Sequence, residues 1–248
     1  MKKGLCVVIA FMLFVVALPA TAADYDAVIK KWTREATFKS DFQSELTVTV
    51  TYYAEELIEA LIQREAEKNL WTADELENYK YQLLKSLNLE ENIPIHIEFF
   101  NRGPAMHMAP FDQQVMLWIG KKNYNPVEYD PRFNFRLEGK RDGMMFFPRY
   151  DEKGKPLLEN VNTIRLVIKG EISAQTIGKS IEFMWDTVRD SGGGFTQSLA
   201  MERLEADRLI RRLQKLNTEK AELEEELRAK EQEIREIEIR LADIQSKI

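Results

Sequence analysis

The last forty residues repeat with a period of seven, and no other stretch narrows the fold so far. With Leu213 placed at heptad position a, Leu213, Leu227, Ile234, Leu241 and Ile248 fall at a, and Leu209, Leu216, Leu223, Ile237 and Ile244 fall at d. Lys220 (a) and Lys230 (d) interrupt the line, which leaves ten aliphatic residues among the twelve seam positions. A repeat of 3.5 residues slides off the face of a straight helix, so a seam held this long implies supercoiling about another helix. The expectation is a coiled coil with those twelve residues as its interface.

The flanks of the seam qualify that expectation. Position g carries Arg212, Glu219, Glu226, Glu233, Arg240 and Lys247, and position e carries Ile210, Asn217, Glu224, Glu231, Glu238 and Gln245. In a parallel homodimer g meets e of the next heptad, which sets Glu219 against Glu224, Glu226 against Glu231 and Glu233 against Glu238. Simple antiparallel pairing also leaves glutamates facing each other. Each contact of this kind costs only a few tenths of a kcal/mol. Lys220 and Lys230 can reach the acidic flanks across the seam, and polar residues in a core help set register and oligomer state. Glu224–Arg228, Glu226–Lys230, Glu231–Arg235 and Glu236–Arg240 are favourable i, i+4 pairs within one helix. Self-association is favoured over a heterologous, acid-tolerant or basic, partner helix.

The other end of the chain is a separate module. Lys2 and Lys3 precede an apolar run from Gly4 to Leu18, and Ala20-Thr21-Ala22 supplies small residues for cleavage. That is the layout of a secretory signal peptide over residues 1–23. The apolar run is short of the roughly 20 residues that span a bilayer, and no later segment is apolar enough, so the mature chain is expected to lack a transmembrane segment. The expected location is the periplasm or the exterior. Cys6, the single cysteine, lies inside the leader. The mature chain therefore forms no disulfide and no thiolate zinc site. Without Lys2 and Lys3 it holds 33 basic and 41 acidic residues, a net of −8. That balance opposes a nucleic-acid role, which calls for a basic face.

Between leader and tail, residues 24–190 read as a β-rich domain. Leu46–Tyr52 is a run rich in β-branched residues in which threonines alternate with apolar residues at period two, a strand whose threonines share one face. Leu57, Ile58, Leu61 and Ile62 then recur at helical spacing, and Thr72-Ala73-Asp74-Glu75 is a capping box that starts a second helix. Residues 54–89 thus form a helical hairpin. Further strands are expected at Pro94–Phe99, Val115–Ile119, Phe133–Leu137, Thr163–Ile168 and Ser180–Trp185, with turns at Asp142-Gly143 and Asp151–Gly154. Seven or so short strands and early helices suit an α+β domain built on an antiparallel sandwich. It is Ig-like only loosely, since the Cys–Trp–Cys pattern is absent. Ser191-Gly192-Gly193-Gly194 then reads as a Gly-rich hinge (residues 191–195) before the coiled coil at 196–248, free to let the β domain reorient.

No stretch carries the residue pattern of a known reaction. Met106-His107-Met108 offers soft donors of the kind that bind Cu(I). Packing is the favoured reading, with both thioethers inward and His107 toward solvent. His96 falls on the polar side of its strand with no triad partner at a telling spacing. Glu128, Asp130, Glu138, Asp142 and Asp151 fall on turns and strand ends with no diagnostic separation. Of Phe146 and Phe147, adjacent in a strand, one is expected in the core. P-loop, EF-hand and nucleophile-elbow patterns are absent from the sequence. The expected function is non-enzymatic and cofactor-free: a structural, adaptor or oligomeric binding protein of the envelope. The alternatives are a periplasmic holdase-type chaperone and, behind it, a hydrolase or metal binder using the β domain.

Overall fold

The structure, a computed structural model, describes residues 25–40, 44–187 and 199–246. The leader, the Ser191–Gly194 segment and Ile248 lie outside the described residues. Helix α1 (Tyr25–Trp32) leads directly into strand β1 (Thr33–Lys39), which pairs antiparallel with β2 (Glu45–Tyr52). In β2 the pattern of the sequence becomes geometry: Leu46, Val48, Val50 and Tyr52 are buried and the intervening residues are half-buried. Thr33 and Thr37 of β1 hydrogen-bond Thr51 and Thr47 of β2 at 3.0 and 3.2 Å on the opposite face.

The chain then makes helices α2 (Glu55–Asn69) and α3 (Ala73–Ser86). At Thr72 the hydroxyl accepts from the Glu75 amide at 3.4 Å, while the Glu75 carboxylate accepts from the Thr72 amide at 2.8 Å, the reciprocal pair of a capping box. The Thr72 amide and hydroxyl, both donating to the Glu75 carboxylate, hold it below its ordinary pKa. Strands β3 (Asn92–Met106), β4 (Val115–Ile119), β5 (Lys122–Tyr124), β6 (Glu128–Tyr129), β7 (Leu137–Pro148), β8 (Thr163–Ile168) and β9 (Ile181–Asp186) follow, and helix α4 (Leu199–Gln245) closes the chain. One sheet has the order β1-β2-β3-β7-β6 and the other β5-β4-β8-β9, with every pairing antiparallel.

The buried faces of the two sheets share one apolar cluster. Val48, Ile97, Phe99 and Phe147 of the first sheet join Leu117, Leu166, Phe183 and Trp185 of the second. The indole of Trp185 donates to the Trp32 carbonyl at 2.8 Å, and Arg34 of β1 donates to the Met184 carbonyl of β9 at 3.2 Å. These bonds stitch the edges of the two sheets together. A second, smaller cluster lies between the helices: Ile58 and Ile62 of α2, Leu84 of α3, Leu87 and Leu89 beyond it, and Ala200 and Leu204 of α4.

Two local expectations need correcting. Phe133–Leu137 is not a strand, because Pro131–Asn134 winds as a short 3-10 turn. Asp130 caps it, accepting from the Arg132 amide at 2.9 Å, and Pro131 presets the first residue. The turn separates two phenylalanines that a strand would put on one side: Phe133 is fully buried and Phe135 is exposed. Asp142-Gly143 is not a turn either. It sits inside β7, with Asp142 opposite Glu98 and Gly143 opposite Ile97. Glycine is needed there for close approach, since a Cβ would come within 2.7 Å of the Asp130 Cβ. The strands β1, β5 and β6 were not anticipated. Of the adjacent phenylalanines, Phe147 is the buried one and Phe146 is half-buried.

A candidate pairing surface on the C-terminal helix

Helix α4 runs for 47 residues, which at about 1.5 Å per residue is roughly 70 Å. Its two long faces meet different fates. The first turns dock on the body. Ala200 and Leu204 are 2% and 1% exposed in the second cluster. The Tyr81 hydroxyl of α3 donates to Asp207 at 3.3 Å, and Arg211 pairs with Glu90 at 3.2 Å. The Arg208 guanidinium lies 4.1 Å from the centre of the Tyr150 ring, and its Nε donates to Glu205 at 2.8 Å. That bond holds the Glu205 carboxyl low, while burial raises the Tyr150 phenol against the pull of Arg208. Arg208, only 8% exposed, is thus a charge buried with its counter-charge and an aromatic face.

These docking residues occupy heptad positions b, c and f. With about 100° of rotation per residue, Leu204, Arg208 and Arg211 cluster on one side of the helix, and Leu209, Leu213 and Leu216 project from the other. The body therefore holds the root of α4 without touching its seam. Beyond Arg212 every described residue of the helix is exposed. The described aliphatic seam residues range from 50% exposed at Leu216 and Ile244 to 65% at Leu223; Leu209, Leu213, Leu227, Ile234, Ile237 and Leu241 lie between. Lys220 turns to Glu224 at 3.6 Å and Lys230 to Glu233 at 2.9 Å, both on their own helix. A stripe of half-exposed leucine and isoleucine, interrupted at Lys220 and Lys230, is a surface that favours burial, since each such side chain still stands to gain about half of the roughly 1.5–3 kcal/mol of full burial.

The triple glycine, expected to act as a hinge, lies outside the described residues. The helix beyond it packs on α3 and on the segment around Tyr150, and the seam leaves the body from that docked root. The signal for docking was present as Ala200, Leu204, Arg208 and Arg211, which share a face but lie off the heptad line.

The other candidate residues are placed as follows. Met106 and Met108 are 1% and 0% exposed in the main core, and His107 is exposed between them. His96 Nε2 lies 3.2 Å from Asp142 Oδ2 at the surface, beside the pair of Asp130 and Arg132. Arg132 holds the Asp130 carboxyl below its ordinary range. Asp151 accepts from the amides of Lys153 and Lys155 at 2.9 and 2.8 Å, which closes its turn at Gly154 (φ +81°). Glu138 pairs with Arg136, and Glu128 sits on the short edge strand β6. Among the described residues no group of three or more His, Cys, Asp or Glu side chains is arranged to hold a metal ion. None of the described helices is long and apolar enough to cross a membrane.

No family model matches the chain. No curated protein matches it. Among solved structures, the chain is similar to a crystal structure of a novel protein of unknown function from Burkholderia pseudomallei K96243, at 8% identity, covering 67% of this chain and 84% of that one, with a TM-score of 0.35.

Proposed function

We propose that this is an exported, non-enzymatic envelope protein whose C-terminal helix forms a coiled coil. The tail joins copies of the chain, and the body, a sandwich-like and loosely Ig-like pair of sheets, presents a binding surface to another envelope component. The observation that carries this reading is the aliphatic seam from Leu209 to Ile244, exposed on the helix face opposite the docked one. Magnitudes favour pairing despite the acidic flanks. Each like-charge flank contact opposes association by a few tenths of a kcal/mol, whereas each seam side chain contributes more than that on burial. The leader layout of residues 1–23 supports export. The non-enzymatic reading is supported by the employment of the candidate carboxylates in turns and ion pairs.

The test is sedimentation of the mature protein beside a chain ending at Asn217, which keeps the docked root and drops most of the seam. The mature protein sediments as an oligomer at micromolar concentration and the shortened chain as a monomer. Two monomers would overturn self-association.

The same exposed stripe favours a second reading, a holdase that grips unfolded clients along the tail. Suppression of client aggregation at substoichiometric amounts, lost in the chain ending at Asn217, is the result that reading requires.

A further inference from the structure

The exposed seam also bears on how two tails lie together, a question that rests on the self-association just proposed. We infer that the tails of two copies pair antiparallel, with Lys230 of each opposite Ile234 of the other. Two separate features of charge lead there.

The first is the fate of the seam lysines. In a parallel, in-register pair, a packs against a and d against d. Lys220 would then face Lys220 of the second copy, and Lys230 would face Lys230, giving two like-charge layers inside the core. Antiparallel pairing sets a against d instead. In the stated register Lys220 lies opposite Ile244 and Lys230 opposite Ile234, while Leu223 meets Leu241 and Leu227 meets Ile237. Each lysine then shares its layer with an aliphatic side chain and can extend along it toward the flank. In the single chain both already lean off the seam, Lys220 to Glu224 at 3.6 Å and Lys230 to Glu233 at 2.9 Å.

The second feature is the polarity of the g flank, which runs from Glu219, Glu226 and Glu233 to Arg240 and Lys247. Antiparallel pairing brings g to g. In this register Glu226 of each copy meets Arg240 of the other, two attractive contacts among the described residues. Glu224 with Glu238 (twice), Glu231 with Glu231 and Glu233 with Glu233 remain repulsive, four such contacts where a parallel pair has six. Along its g–e flanks the parallel pair has six Glu–Glu contacts and no opposite-charge pair, so relief there is left to Lys220 and Lys230, each facing its counterpart inside the seam.

The fold permits this arrangement. The body grips α4 on the b, c and f face through Leu204, Arg208 and Arg211, so the seam face is clear for a second helix from Leu209 onward. The pair's centre falls at residue 232, about 20 residues beyond the docked root. The two roots would stand roughly 60 Å apart at about 1.5 Å per residue. An antiparallel pair is thus a strut with one body at each end, whereas a parallel pair would set both bodies side by side.

The chain remaining after leader removal has no cysteine, so spin labels can be placed singly on the full mature protein. Thr218→Cys and Gln232→Cys both put the label at position f, away from the seam. In the antiparallel pair two labels at 218 are roughly 40 Å apart along the axis, and two labels at 232 sit at the same axial level on the outer sides of the pair, at a much shorter distance. Dipolar spectroscopy showing a long distance at 218 and a short one at 232 is the expected result. Equal short distances at both positions would overturn the antiparallel arrangement while leaving self-association intact. Absence of any dipolar coupling at either position would overturn self-association itself.

Discussion

Leu223→Pro abolishes assembly of the mature protein and leaves the melting transition of the body unchanged. Proline at that position removes the hydrogen bond to the Glu219 carbonyl and drives its ring into that carbonyl, a loss of about 3 kcal/mol or more in a helix interior. The damage is greater than one broken bond, because a kink there throws the seam after Leu223 out of line with the seam before it. No partner helix can then follow both halves. The body is insulated from the change. Leu223 is 65% exposed, and it lies three turns beyond Arg212, where contact with the body ends. Sedimentation reads the assembly and calorimetry reads the body. An oligomer that survives the substitution would mean that pairing does not run through this seam. Loss of the body's own transition would mean that tail and body fold as one unit.

Leu204→Ala has the reverse effect: it frees the root of α4 from the body and leaves pairing in place. Leu204 is 1% exposed and fills the gap between Ile58 and Ile62 of α2 and Leu84 of α3. Truncating a leucine this deeply buried costs about 2–5 kcal/mol, from lost transfer energy and the cavity left behind. Little else of apolar character holds the root, since Ala200 is small and Met201 is half-buried. The polar contacts do not replace it: the Arg208–Glu205 pair lies within α4, leaving the Arg208–Tyr150 cation–π contact and the partly exposed Arg211–Glu90 pair, each contributing about 1–2 kcal/mol or less. The measurement is hydrogen exchange of the α4 amides from 203 to 212. Exchange there accelerates by roughly one and a half to three and a half orders of magnitude if the loss falls on local docking, given about 1.4 kcal/mol per factor of ten. Unchanged exchange would show that the root is held by something other than this cluster. Because Leu204 lies on the face opposite the seam, sedimentation should still report the oligomer.

The paired outcomes bear on what a sequence of this kind displays. Strand β2 was legible residue by residue, since Leu46, Val48 and Val50 alternate with threonines and one face of the strand is buried. The α2–α3 hairpin was legible from its spacing and from the Thr72 box. Strand β1 was not, because Ala36 and Phe38 are its only apolar residues among Thr33, Arg34, Glu35, Thr37 and Lys39, too few to mark a buried face on an edge strand. Asp142-Gly143 misled because the usual turn chemistry of Asp-Gly competes with a second use of glycine, the close passage of β7 beside Asp130 and Phe133. Phe133–Leu137 misled because the Asp130 cap and Pro131 outrank a short alternation.

The candidate surface divides in the same way. The seam is a periodic signal and could be written down from Leu209 to Ile248 before any coordinates. The docked root depends on Leu204, Arg208 and Arg211 meeting Leu84, Tyr150 and Glu90, residues separated from them by more than fifty positions in the chain. No local pattern reports such a meeting. The heptad in fact hides it, because an f-position leucine looks like an exception to the repeat. Once docking is known, the two faces of α4 explain each other: one holds the helix to the body, and the other is left exposed.

Hydrogen exchange of the seam itself tests that division most directly. The amides from Leu213 to Ile244 of the mature protein should be protected at micromolar concentration, and dilution should lower their protection while the amides of β2 and β3 stay unchanged. Rapid exchange along the whole tail, the same at every concentration, would contradict the pairing of this helix with a second copy.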